Sequence, residues 1–153
     1  MRPRAPQGYA CAEMSITVLI IDERPEVCQL LGERLDREPG LHVVGRTSNP
    51  FIGGELAHLY QPDVILADLQ RVGRDRAQVC RWLKELSPGA KLVILASYFK
   101  NGEAVACLEA GAVKCLVKGM STRRLAGELR AVVDGEKQLE PLQGRVTRQE
   151  VRD

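Results

Sequence analysis

The sequence has no apolar run long enough to cross a bilayer as a helix, so a helical membrane anchor finds no support in it. It carries little net charge: +2 over 153 residues is too small to point by itself to nucleic acid or a membrane surface. It has only two histidines, and its five cysteines (Cys11, Cys28, Cys80, Cys107 and Cys115) contain no Cys-x-x-Cys pair. An odd count without that spacing argues against a disulfide framework and against a zinc site. Most of these cysteines lie in apolar surroundings, so they read as buried thiols of a reducing compartment, and a cytoplasmic location is expected. The opening "MRPRAPQGYACAEMS" is basic but lacks the apolar core of a secretory signal. Residues 1–14 are expected to be a disordered extension, with Met14 a candidate start.

Two kinds of segment alternate along the rest of the chain. "ITVLIID" (16–22), "LHVVGRT" (41–47), "DVILADL" (63–69), "KLVILAS" (91–97) and "VKCLVKG" (113–119) read as strands. Three of them are nearly continuous apolar runs, as strands covered on both faces should be. Helical patterns lie between. "PEVCQLLGERLDRE" opens with Pro25 in the first turn and is expected to turn Val27, Leu30, Leu31 and Leu35 inward. "NPFIGGELAHLY" has Asn49 as its cap, with Gly53 and Gly54 weakening the helix. "RAQVCRWLKEL" presents Val79, Trp82, Leu83 and Leu86, "GEAVACLEAG" stops at Gly111, and "STRRLAGELRAVVDG" runs from a Ser121 cap to Gly135. Strand followed by helix, five times over, predicts an α/β fold: a doubly wound, parallel five-stranded sheet. Ligands of such folds sit outside the carboxyl ends of the strands.

Those ends carry a consistent chemistry. The first strand stops at Asp22 and Glu23, the third at Asp68 before Leu69 and Gln70, the fourth at Ala96 and Ser97, and the fifth at Lys118. Three acids and a lysine thus converge on one edge. Hard cations such as Mg²⁺ take carboxylate oxygens, an aspartate can attack phosphorus, and a lysine can neutralise a phosphoryl oxygen.

Taken in order and spacing, "VLIIDERPEV", "QPDVILADLQ", "KLVILASY", "EAGAVKCLVKG" and "LAGELRAVVDGEKQLEP" resemble the receiver domain of a two-component response regulator. The likeness is to receivers that precede a LuxR-type (NarL/FixJ) helix-turn-helix. It implies a flavodoxin-like (βα)5 fold with strand order 2-1-3-4-5 over residues 15–138. It implies Asp68 as phosphoryl acceptor, Asp22, Glu23, Asp68 and the carbonyl of Gln70 as Mg²⁺ ligands, and Lys118 as the conserved-type lysine of the site. A sensor histidine kinase as phosphoryl donor and a homodimer follow from the same likeness; the last helix is expected to turn Leu125, Leu129, Val132 and Val133 inward, and Leu125, Leu129 and Arg130 allow a dimer face without requiring one.

The chain also departs from that pattern. Ala96 stands where the switch hydroxyl is expected, and the neighbouring Ser97 should face away from the site because adjacent strand residues alternate. Cys115 stands where the switch aromatic is expected. In "DLQRVGRDR", Arg71 and Val72 replace a Met-Pro pair, and Arg74 and Arg76 read as surface arginines on a mobile loop, the sharper reading being added positive charge near an anion site. The acceptor chemistry is kept while the switch that reads it is altered. The alternative is therefore a phosphorylation-independent receiver acting as a dimerisation or ligand-binding module. A flavodoxin would need a glycine- and hydroxyl-rich loop after the first strand, which "DERPE" is not. A haloacid-dehalogenase-type phosphatase would carry a second Asp at the position of Gln70. Residues 139–153 read as a linker and the start of a truncated LuxR-type domain, Thr147 and Glu150 forming a capping box in "GRVTRQEVRD". With no recognition helix in the sequence, specific DNA binding is not expected of it.

Overall fold

The computed structural model describes residues 15–69 and 75–135. The expectations for residues 1–14, for Gln70, Arg71, Val72 and Arg74, and for 139–153 lie outside the described residues. The five apolar runs become parallel strands β1 (Ile16–Asp22), β2 (Leu41–Thr47), β3 (Val64–Asp68), β4 (Lys91–Ala96) and β5 (Ala112–Val117), ordered β2-β1-β3-β4-β5. Helices α1 (Pro25–Asp36), α2 (Pro50–Tyr60), α3 (Arg76–Leu86), α4 (Glu103–Glu109) and α5 (Thr122–Asp134) connect and flank them. This is the doubly wound sheet that the alternation of segments implies.

Period-two alternation splits β1, β3, β4 and β5 between two cores. Leu19, Ile21, Ile65, Ala67, Leu92, Ile94 and Cys115 face α2, α3 and α4. Val18, Ile20, Val64, Leu66, Val93, Leu95 and Leu116 face α1 and α5, where Cys28, Leu35, Leu125 and Leu129 close the layer. Thr17 and Asp63 lock the register at the amino end of the sheet. The Asp63 carboxylate accepts from the Thr17 amide at 2.9 Å and its hydroxyl at 3.0 Å, while the Thr17 hydroxyl accepts from the Asp63 amide at 2.9 Å.

The helix ends follow local chemistry. The Asn49 side chain accepts from the amides of Phe51 and Ile52, Ser121 caps α5 through the Arg124 amide, and Asp75 caps α3 through Ala77.

Three expectations need correction. Leu30 is 47% exposed; Cys28, Gly32 and Leu35 form the inner face of α1 instead. That stripe keeps the i, i+4, i+7 spacing and shares Leu35 with the expected one, but is rotated from it by about a quarter turn. Leu125 and Leu129 are buried in the α5 core, as an inward-facing stripe should be, and so do not present a dimer face; Arg130 stays partly exposed and donates to the Pro39 carbonyl at 2.6 Å. Arg76 is not a surface arginine. Its side chain is 11% exposed, pairs with Glu103 at 2.7 Å and lies over the Phe99 ring at 5.6 Å, joining the starts of α3 and α4.

Candidate functional site

Strand register brings the two principal acids together. β1 and β3 are neighbours, and Asp22 pairs directly with Asp68 at their carboxyl ends. Parallel neighbours lie about 4.8 Å apart, so residues 46 positions distant in the chain become adjacent carboxylates. Asp22 is 2% and Asp68 4% exposed. Two carboxylates this buried repel unless cations join them.

Two cations do. Lys118 follows β5, its amide donating to the Ala96 carbonyl at 2.9 Å. Gly119, at φ +125°, turns the chain immediately afterwards, a conformation that side chains resist. The Lys118 ammonium pairs with Asp68 and lies 3.3 Å from Asp22 Oδ2. The second cation is Arg24. Pro25, at the first turn of α1, restricts Arg24 to an extended backbone (φ −98°, ψ 110°), and the Arg24 amide donates to Asp22 Oδ1 at 3.0 Å. Its side chain runs over the strand ends: Nη2 donates to Asp68 Oδ2 at 3.1 Å, and Nε lies 3.6 Å from Asp22 Oδ1. Burial pushes the Asp22 carboxyl above its ordinary range, and hydrogen bonding and the charge of Arg24 pull it back.

Glu23 follows Asp22 in the turn before α1 and is half-buried. Ala96 is the last residue of β4, fully buried, and Ser97 beyond it is exposed. Cys115 is fully buried in the layer facing α4, where its thiol approaches the Ala104 carbonyl at 3.8 Å. Asp22, Asp68 and Lys118 are therefore brought into one cluster, while Ala96 and Cys115 line the β4–β5 side as apolar packing. Arg24 is the residue that sequence reading missed. Its signal was a basic residue directly after an acid pair and before a helix-starting proline.

The carboxylate oxygens suit a hard cation such as Mg²⁺ in their chemistry. Their partners do not: both oxygens of Asp22 and Oδ2 of Asp68 face Arg24 or Lys118. Among the described residues, no group of three or more acidic, histidine or cysteine side chains is placed to hold a metal ion. In this arrangement the cluster is neutralised from within. Also among the described residues, no helix is long and apolar enough to cross a membrane.

Comparison with known proteins bears on the family and the fold. Residues 18–130 match the response regulator receiver domain family. The transcriptional regulatory protein LiaR of Bacillus subtilis is 34% identical over 129 residues, covering 82% of this chain and 59% of LiaR. The nitrate/nitrite response regulator protein NarL of Escherichia coli K12 is 31% identical over 120 residues, covering 78% of this chain and 56% of NarL. The chain thus spans less than two thirds of the length of either relative. The fold matches the signal receiver domain of the putative response regulator NarL from Mycobacterium tuberculosis. The TM-score is 0.72 at 21% identity, over 79% of this chain and 98% of that one. A LuxR-family response regulator from Aurantimonas sp. SI85-9A1 matches with a TM-score of 0.73 at 20% identity, over 91% of this chain and 99% of that one. With its sheet order, its paired strand-end aspartates and this match over most of its length, the chain belongs to the response regulator receiver domain family.

Proposed function

We propose that this receiver accepts a phosphoryl group on Asp68 from the phosphohistidine of a sensor histidine kinase. The observation that carries the reading is the register pairing of Asp68 with Asp22, bridged by the Lys118 ammonium at the carboxyl edge of the sheet. In the step, an Asp68 oxygen forms a bond to phosphorus as the phosphorus–nitrogen bond to the donor imidazole breaks, and the imidazole leaves. Lys118 follows the transferring oxygens and balances the charge gathering on them. Mg²⁺, where bound, would be held by Asp22, Glu23 and Asp68 and would supply a second positive charge to those oxygens. The similarity to the transcriptional regulatory protein LiaR supports an output in transcriptional regulation; a homodimer would have to use surfaces other than Leu125 and Leu129.

Intact mass spectrometry after incubation with phosphoramidate or acetyl phosphate and Mg²⁺ tests the acceptor step. A single phosphoryl adduct on the wild type, missing from Asp68→Ala, is expected. A folded wild type without an adduct overturns the reading.

A specific observation favours a second reading in which the fold works without phosphorylation. Ala96 and Cys115 are both fully buried and offer neither a hydroxyl nor a rotating ring to report an event at Asp68. A ligand shifts a conformational balance only through contacts that differ between the two states. On this reading, self-association and partner affinity do not change when the adduct forms.

A further inference from the structure

We propose that Arg24 is the resident cation of the acidic pocket and competes with divalent metal for Asp22 and Asp68. The inference rests on the acceptor reading of this pocket and concerns how its charge is balanced before phosphoryl transfer.

Arg24 is held at the site from both ends. Its backbone amide is bound by Asp22 Oδ1 at 3.0 Å, and Pro25 keeps its backbone extended. Its guanidinium spans the two carboxylates that the β1–β3 register sets abreast, at 3.1 Å from Asp68 Oδ2 and 3.6 Å from Asp22 Oδ1. Lys118 takes the remaining side of the cluster. A divalent ion of magnesium's size needs the same oxygens at about 2.0–2.1 Å, with near-octahedral geometry and several retained waters. A guanidinium seated across the two carboxylates repels that ion and occupies part of the space its ligand oxygens and waters need. Metal entry is therefore opposed by the charge of Arg24 and favoured by its departure. Its side chain is 37% exposed, so the route outward is open, but departure gives up a charge-assisted hydrogen bond to a buried carboxylate.

Two consequences follow. The wild-type domain binds divalent metal weakly, and the basal charge balance at Asp68 comes from Arg24 and Lys118. Substituting Arg24 with a neutral side chain removes the competitor and leaves the carboxylates in need of a cation, so metal affinity rises.

The test is calorimetric titration of Mg²⁺, with Mn²⁺ as a paramagnetic probe, into the wild type and Arg24→Gln. The expected result is binding at least about tenfold tighter in Arg24→Gln, equivalent to about 1.4 kcal/mol. Equal or weaker metal binding by a folded Arg24→Gln overturns the proposal; Arg24→His at pH 8, where the imidazole is neutral, serves if the first variant fails to fold. The phosphoramidate adduct is scored on the same proteins to separate the two claims. Equal metal affinities with an Asp68 adduct remove the Arg24 proposal and keep the acceptor reading. Tighter metal binding in Arg24→Gln with no adduct on either protein keeps the Arg24 proposal and removes the acceptor reading.

Discussion

Gly53 and Gly127 both lie inside helices, yet adding a methyl group at each should move stability in opposite directions. By intrinsic helix propensity alone, either Gly→Ala change gains about 1 kcal/mol. At Gly127, in α5, a Cβ would meet nothing within 4 Å, so the gain stands. At Gly53, in α2, a Cβ would lie 2.5 Å from Cδ1 and 2.7 Å from Cγ1 of Ile21. Carbon atoms in contact prefer about 3.5–4.0 Å, so the overlap is about 1 Å. Rotation of Ile21 about χ2 moves Cδ1 but not Cγ1, rotation about χ1 exchanges Cγ1 for the neighbouring branch of a β-branched side chain, and Ile21 is 1% exposed, with no free space to enter. Overpacking of this kind costs about 1–3 kcal/mol. Set against the propensity gain, Gly53→Ala should lose about 1 kcal/mol while Gly127→Ala gains about 1. The 2 kcal/mol gap corresponds to about 1 M between urea midpoints at a slope of about 2 kcal/mol/M. Urea unfolding of both variants, followed by circular dichroism and Trp82 fluorescence, measures it. If Gly53→Ala is stabilised as much as Gly127→Ala, the close approach of α2 to β1 is not a constraint and the reasoning fails.

Other perturbations address the site and its supports. Because burial holds the Asp22 carboxyl above its ordinary 3.8, the folded chain binds that proton more tightly than the unfolded chain. Stability from this group therefore falls as pH rises from 3.8 through the raised folded value. Asp22→Asn should be more stable than wild type at pH 7, with the gain shrinking toward pH 4. A gain that grows in acid would refute the sign. Glu103→Gln should lose about 1–3 kcal/mol by depriving the nearly buried Arg76 of its charge partner, whereas Arg76→Met with Glu103→Met should recover part of that loss. A thermal-denaturation double-mutant cycle over Arg76→Met, Glu103→Met and the double variant that shows no coupling energy would count against the pair. Cys28, Cys80, Cys107 and Cys115 are buried, and burial also pushes the Cys28 thiol above its ordinary value. Peptide mapping after brief alkylation of the native protein should find these four unmodified, and labelling before unfolding would contradict their packing.

Much of the architecture was legible in the order of residues, because it depends on interactions close in sequence. The apolar runs of β1, β3 and β4 announce strands covered on both faces, and the side chains of Asn49 and Ser121 announce helix starts that they cap within a few residues. The acids at two strand ends and the lysine at a third were visible too, since carboxyl ends of parallel strands share one edge. What only the tertiary structure decided were matters of distance between remote segments. The pairing of Asp22 with Asp68 depends on β1 lying next to β3 in register, which no local pattern encodes. Gly53 reads locally as a weak point in a helix and becomes, once Ile21 is packed beneath it, the reason α2 can lie so close to the sheet. Arg76 reads as a solvated loop charge until α4 brings Glu103 to it. Arg24 carries no local signal beyond its place between an acid pair and a proline. Its role as a cation of the site appears only when Pro25 directs the chain over the strand ends and the buried negative charge of two neighbouring strands needs neutralising.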